Sequence, residues 1–384
     1  MRKLMQLWGN KGKSATPCAD AFRAAADQLA ILESQVAQNT ADIKVLQGDN
    51  PPQPEPPSDG PVYPVFAPGS FWGEAIPTEV VLHPSSANFA AEFCSQVGTG
   101  VGCNVYQYTA TLFNPSVSDN PIKVTPFDCF ALGWNLPGLE EMWAAVPWPP
   151  AAQPSPGTDQ EMAIYDPWTD SYYEFWQLQQ TAHGWQACRG GGMQHTSENP
   201  GIWVGGGGFG AAATGLPFAP GQIKASELQA GKIDHVMGLA VGRAENWETF
   251  SWPAQRSDGW NPDHLPNQIP EGLRCRLDPG VAVESLNLHP VAQTIAKAAQ
   301  TFGFVVWDKT GSTPSLRFEN ALSRTALGQP DPYPELFNGT PEWQLLKGFP
   351  WDRLQWLPFN YGMPVGTRQP PASRPCRINR GKNA

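Results

Sequence analysis

Met162-Ala-Ile-Tyr-Asp-Pro-Trp-Thr-Asp-Ser-Tyr-Tyr-Glu-Phe-Trp176 reads as two strands joined by a turn. The flanks, Met162 to Tyr165 and Ser171 to Trp176, are short, aromatic and aliphatic, and contain neither Gly nor Pro. The centre, Asp166 to Asp170, has hairpin chemistry: Asp side chains bond their own backbone and Pro167 fixes φ. The same alternation of apolar runs with Gly, Pro, Asn and Asp clusters extends from Val62 to about Asn320. Further strands are expected at Glu79 to His83, Asn104 to Phe113, Ile122 to Thr125, Val236 to Val241, Gly272 to Leu277 and Phe304 to Trp307. A second hairpin is expected at Asp308 to Ser312, before Leu316 to Glu319. Residues 62–330 are therefore expected to form a mainly β head of sandwich or jelly-roll type. One helix should pack on it, from Pro290 through Val291, Ile295, Ala298, Ala299 and Phe302 to a stop at Gly303. A shorter helix is expected at Ser226 to Gly231, with Ser226 as its cap.

Composition agrees with a turn-rich β protein. The 384 residues include 41 Pro, 38 Gly and 16 Trp, and charged residues are only 16% against roughly 25% in ordinary domains. A net charge of −10 without a basic stripe argues against a nucleic-acid partner. Arg2, Lys3, Lys11 and Lys13 make a basic start, but Met5 to Asn10 is too short and polar for the core of a secretory signal. No apolar run approaches the ~18 residues that a spanning helix needs, so a chain made soluble in a cytoplasm, without membrane insertion, is expected. The cysteines at 18, 94, 103, 129, 188, 275 and 376 lack paired C-x-x-C spacing and read as buried or idle thiols. Cys94 and Cys103, flanking the Gly-rich stretch from Val97 to Gly102, are the candidates for a loop disulfide in an oxidising medium.

Ahead of the head, Ala19 to Leu46 lacks Gly and Pro and carries a heptad seam. Phe22, Leu29, Val36 and Ile43 occupy one position; Ala25, Leu32, Asn39 and Leu46 follow each by three. Such a seam demands partner helices, so a coiled coil is expected over 19–48, with residues 1–18 as an attachment peptide. The alternative, an amphipathic helix docked on its own head, accounts less well for a strict heptad beside a hinge. Val36-Ala-Gln-Asn-Thr40 resembles the V-x-x-N-T pattern of trimeric adhesin stalks. That likeness implies a parallel homotrimer and, at Asn39, an anion on the trimer axis; no other cofactor and no metal is expected. The Pro-rich segment 49–61 reads as a semi-rigid spacer. Residues 331–384 read as an irregular extension ending in a basic tail with Arg368, Arg374, Arg377, Arg380 and Lys382.

Five blocks carry a family likeness: Phe71 to Pro77, Ile223 to His235, Ser251 to Asp258, Ile269 to Pro279 and Ile295 to Asp308. Through them the stretch from Ser70 to about Asn320 resembles a group of actinobacterial and actinophage proteins, the latter described as minor tail proteins of mycobacteriophages. The resemblance implies a phage or cell-surface setting. An N-terminal stalk without a secretory signal fits a virion tail tip better than a secreted bacterial protein, so other tail proteins are expected partners, with a role either in attachment to bacterial envelope glycan or in building the tip without touching a receptor.

Sugar recognition asks for flat aromatic faces beside carboxylates and amides. Trp168, Trp185, Trp203, Trp247, Trp252 and Trp260, each next to Gly, Pro or polar residues, are the glycan-binding candidates. The rival function is a polysaccharide-degrading enzyme on a jelly-roll scaffold, which needs paired carboxylates. Glu161, Glu174, Glu245, Glu248 and Asp258 qualify by neighbourhood, and His235 after Asp234 could serve as a base. No HExxH or GxSxG signature supports a hydrolase, and no catalytic residue is assigned. Asp258, Asn261, Asp263 and His264 lack the full calcium-loop pattern. The Gly-rich runs at 189–192 and 205–210 lack a phosphate-loop ending and suggest close backbone packing, tight turns or a flexible loop at the trimer axis instead.

Overall fold

A computed structural model describes residues 60–98, 100–133, 135–203, 208–370 and 372. The expected attachment peptide, coiled coil and most of the spacer lie outside the described residues, and with them Phe22, Leu29, Leu32, Val36, Asn39, Ile43 and Leu46. In chain order the strands are β1 Gly102–Asn104, β2 Thr111–Phe113, β3 Pro121–Ile122, β4 Val124–Pro126, β5 Val146–Pro147, β6 Met162–Asp166, β7 Ser171–Trp176, β8 Gln179–Thr181, β9 Gly184–Ala187, β10 Arg189–Gln194, β11 Met237–Val241, β12 Arg274–Leu277, β13 Phe304–Lys309, β14 Ser315–Arg317 and β15 Leu354–Trp356. The helices are α1 Ser86–Val97, α2 Leu139–Met142, α3 Ala225–Ala230, α4 Pro290–Thr301, α5 Leu322–Thr325 and α6 Tyr333–Phe337.

The body is mainly β, with several sheets and few helices. A six-stranded sheet runs β1-β14-β11-β13-β12-β15 and a four-stranded sheet runs β10-β7-β6-β2; β3-β5 and β4-β9-β8 form smaller ones. Central strands are buried on both faces because side chains alternate across a sheet. On β13, Phe304 and Val306 join the core beneath α1 and α4, while Val305 and Trp307 enter a second cluster on the other face. On β6, Met162 and Ile164 face one cluster and Ala163 and Tyr165 another.

The expected β6–β7 hairpin forms, pairing Asp166 with Ser171. The one at Asp308 to Ser312 does not: β11 lies between β13 and β14. The connecting loop crosses the end of β11 at Gly242, where a Cβ would stand 2.1 Å from the Ser312 carbonyl oxygen. Pairing direction also departs from the antiparallel ladders of a jelly roll, since β1–β14, β11–β13, β2–β6 and β4–β9 are parallel. Turn residues mark where strands end but not which strands pair.

The run from Asn104 to Phe113 is split between the two large sheets, with Tyr108 at φ 56° in the break. Glu79 to His83 forms no strand, and α1 follows it, burying Phe89, Ala90 and Phe93. The Pro290 helix appears as expected, with Pro at its first position. In α3 the cap is Lys224, and Ser226 lies inside the helix. The boundary expected at residue 330 does not separate a loose extension. β15 pairs with β12, and Tyr333, Leu345, Trp351 and Trp356 are core residues. Cys94 on α1 and Cys103 in the core are free thiols, while Cys129 and Cys188 form a disulfide.

Trp307 is fully buried and fits only because Gly221 and Gly238 lack side chains; a Cβ on either would lie 2.4 or 2.5 Å from the indole. Gly238→Ala is therefore expected to destabilise the protein by about 1–3 kcal/mol, the usual cost of overpacking a core. A lower urea midpoint at unchanged m-value would show this, and an unchanged midpoint would contradict it.

Candidate functional site

At the C-terminal end of β13 the register with β11 shifts opposite Trp307. Strict alternation would send Trp307 and Asp308 to opposite faces, but here one guanidinium meets both. Arg317 on β14 lies 5.1 Å from the centre of the Trp307 ring and donates from Nη2 to Asp308 Oδ2 at 2.7 Å. From Nη1 it donates to both oxygens of Glu161, just ahead of β6, at 2.6 and 2.7 Å. One buried arginine thus joins the six-stranded sheet to the four-stranded one. Charge-assisted bonds of this kind are strong but demand that every partner remain in place.

Two more carboxylates complete an acidic centre. Glu271, at the turn into β12, is 0% exposed; its Oε2 accepts the Asp258 backbone N–H at 3.0 Å. Gly272 beside it takes φ +80°, where a Cβ would meet the Ser251 carbonyl oxygen at 1.8 Å, so this turn requires glycine. One oxygen from each of Asp258, Glu271 and Asp308 lies within 4.8 Å of the others. The Asp258 side chain is 41% exposed and Asp308 16%, so the centre runs from the surface inward. Lys309 Nζ stands 3.4 Å from Asp258 Oδ2.

Burial, with the charges of Asp258 and Asp308, raises the Glu271 carboxyl well above its ordinary range. Burial also raises Asp308 to about 7 against the opposing pull of Arg317, with Asp258 and Glu161 adding to the rise. Burial alone would lower Lys309, but the carboxylates of Asp258, Glu271 and Asp308 hold it above its ordinary value. The centre carries more negative than positive groups and holds protons near neutrality.

Above it runs a pinned loop. Glu245 N–H bonds to Ile269 and Trp247 N–H to the Gly259 carbonyl, each at 3.0 Å. Asn261 donates to Glu245 and the Leu265 carbonyl and accepts from Leu265 N–H, each at 2.9 Å. Trp260, 48% exposed, and half-buried Trp247 are held in this loop beside Glu245, Glu248 and Asn246.

The other tryptophan candidates are scattered. Trp203 and Trp252 are core residues, and Trp185 packs 4.9 Å from Trp148. Trp168, half-buried, sits on the β6–β7 turn. Glu161 is an ion-pair partner, as described. Glu174 is buried against Tyr172 and the backbone of Ala211 and Phe218, with burial raising it to about 7. His235 bonds Glu227 at 3.1 Å, whereas Asp234 pairs with Lys232. Asn261 is spent on the loop, and Asp263 and His264 are exposed, so the spacing around Asp258 does not gather them. Glu271 and Asp308 were legible only as charges next to strands; nothing in their spacing brings them to Asp258. Gly190 and Gly191 on β10 do serve close packing, against the Glu174 carbonyl and the Trp203 ring.

Among the described residues no helix is long and apolar enough to cross a membrane. No protein-family model matches the chain, and neither does any curated protein or solved structure.

Glu271 and Asp308 bind their protons more tightly folded than unfolded. Stability is accordingly expected to fall as pH rises from the ordinary carboxyl range through 7, because the unfolded chain releases these protons first. In metal-free buffer, Glu271→Gln should reduce the fall in Tm between pH 5 and pH 8 by several degrees, on the order of 2–4 °C per kcal/mol. Parallel pH profiles for variant and parent would contradict this.

Proposed function

We propose that the chain is a phage tail-tip protein, trimeric through residues 19–48, whose β-rich body attaches the virion to envelope glycan of a bacterial host. The observation that carries the attachment reading is Trp260, an exposed indole on a loop pinned by Asn261 and flanked by carboxylates and amides. An aromatic face covers the C–H surface of a sugar, and Glu245, Asn246 and Glu248 supply groups for its hydroxyls. Pinning lowers the ordering cost of binding. Three such loops on one stalk would turn weak single-site affinity into stable attachment. Other tail proteins would hold the N-terminal end, and assembly would take place in the host cytoplasm. A sandwich arrangement of the two large sheets belongs to this proposal, supported by Phe66, which packs against apolar clusters of both.

A second reading, cleavage of the bound glycan, is favoured by one observation. Asp308, raised to about 7, and Asp258 bring oxygens within 4.8 Å of each other at a partly exposed site. Retaining glycosidases likewise use two neighbouring carboxyl groups, one of them with a raised pKa as the acid. Release of reducing ends from envelope polysaccharide, abolished by Asp308→Asn, would establish cleavage over simple attachment.

Trp260→Ala is expected to weaken binding of the full chain to host-envelope polysaccharide about tenfold, ~1.4 kcal/mol, at unchanged thermal stability. Trp343→Ala, at another exposed indole, should leave binding intact. The reverse pattern would place recognition elsewhere. Light scattering should give three times the chain mass for the full protein and one chain mass for a version starting at Pro57, where the second compact unit begins. A monomeric full chain would remove the trimer.

A further inference from the structure

We propose that Asp258, Glu271 and Asp308 form a binding site for one divalent cation of the hard, oxygen-preferring kind, Ca2+ in particular. The donor set is three carboxylates with no nitrogen or sulfur, the chemistry that suits Ca2+, Mg2+ or Mn2+ over zinc or copper. The oxygens lie within 4.8 Å of one another. Oxygens on opposite sides of Ca2+ stand about 4.6–5.2 Å apart and those around Mg2+ about 4.0–4.2 Å, and a set that includes a half-exposed Asp suits the looser coordination of Ca2+ better than the near-ideal octahedron that Mg2+ demands.

A second observation is independent of the clustering. The Glu271 side chain is completely buried; its Oε2 takes the Asp258 N–H and the Ser257 hydroxyl acts on the same carboxyl, yet no donor stands in bonding geometry to its Oε1. Asp258 Oδ1 is buried in the same condition. A buried carboxylate oxygen without a donor is unfavourable because it has lost its water and gained nothing in return, and a cation between the two would satisfy both. Charge leads to the same valence. Glu161, Asp258, Glu271 and Asp308 bring four negative charges, and Arg317 and Lys309 return two. Arg256 stands in the same field but faces Glu174 as well, and its guanidinium bonds the carbonyls of Phe209, Gly210 and Ala212. With all four carboxyl groups ionised, as a bound metal would leave them, the remaining charge of −2 is balanced by one divalent ion.

An ion would enter past Asp258, the most exposed of the three. Lys309 Nζ stands 3.4 Å from Asp258 Oδ2, and its flexible stem lets the ammonium swing aside. Protons compete with a metal for the same oxygens, so affinity should fall as the solution is acidified below about pH 7. The cation would also brace Asp258, two residues ahead of Trp260, although the inference stands without any role in glycan binding.

The test is calorimetric titration of the chelator-stripped full chain with CaCl2, MgCl2 and MnCl2 at pH 7.5, with Tm recorded in each. One Ca2+ per chain and a rise in Tm are expected. Asp258→Asn, at the exposed edge, should weaken Ca2+ binding at least tenfold while leaving the cation-free Tm within a few degrees. Lys309→Met, which removes the competing ammonium, should strengthen it. Absence of both heat and a Tm shift at millimolar concentrations of all three ions would overturn the site. So would Ca2+ binding of equal affinity in parent, Asp258→Asn and Lys309→Met, which would place the ion elsewhere.

Discussion

Arg317 is the constraint on which the rest of the body depends. Its guanidinium is buried, bonded to Glu161 ahead of β6 and to Asp308 at the end of β13, and stacked over Trp307. Removing one partner of such a buried pair typically costs 3–5 kcal/mol, because the remaining charge is left without compensation. The stacking partner in turn depends on Gly221 and Gly238, which leave room for the indole. Sheet pairing, core packing and the acidic centre thus meet at one side chain. A local change there would be felt in both large sheets.

The centre also explains why carboxylates gather where the β13 register is irregular. A regular strand would turn Asp308 away from Arg317; the shift opposite Trp307 brings both to one guanidinium. Glu271 and Asp258 then add charge faster than Arg317 and Lys309 remove it. Burial keeps protons on these groups to near neutrality. Such a surplus is an unfavourable way to build a core and a useful way to build a site. Asp258 lies two residues ahead of Trp260, so the centre and the exposed indole share one short stretch of backbone.

Strands whose side chains are buried on both faces were readable from their apolar runs. β6, β7, β11, β12 and β13 fall close to the expected positions, and the Pro290 helix was marked by its first-turn proline and terminal glycine. Pairing was not readable, because the Asp308-to-Ser312 turn has hairpin residues but is carried over β11 by contacts that local chemistry does not encode. α1 was missed because its buried face, Phe89, Ala90 and Phe93, is narrow and follows a β-like run. β15 was missed because its neighbours are prolines and turns. Of the site, Asp258 and Trp260 were visible as a polar aromatic segment. Glu271, in a turn, and Asp308, on β13, lie 13 and 50 positions further on, and only the tertiary fold brings them to Asp258.

The most direct measurement is a carbon-detected NMR titration of the side-chain carboxyls of the cation-free full chain, with Glu271 and Asp308 assigned by substitution. The Asp308 carboxyl is expected to titrate near pH 7, and the Glu271 carboxyl to remain protonated beyond the ordinary glutamate range. Titration of both below pH 5 would mean that the centre is neither as buried nor as crowded with charge as Arg317 and its partners make it, and would contradict the organisation set out above.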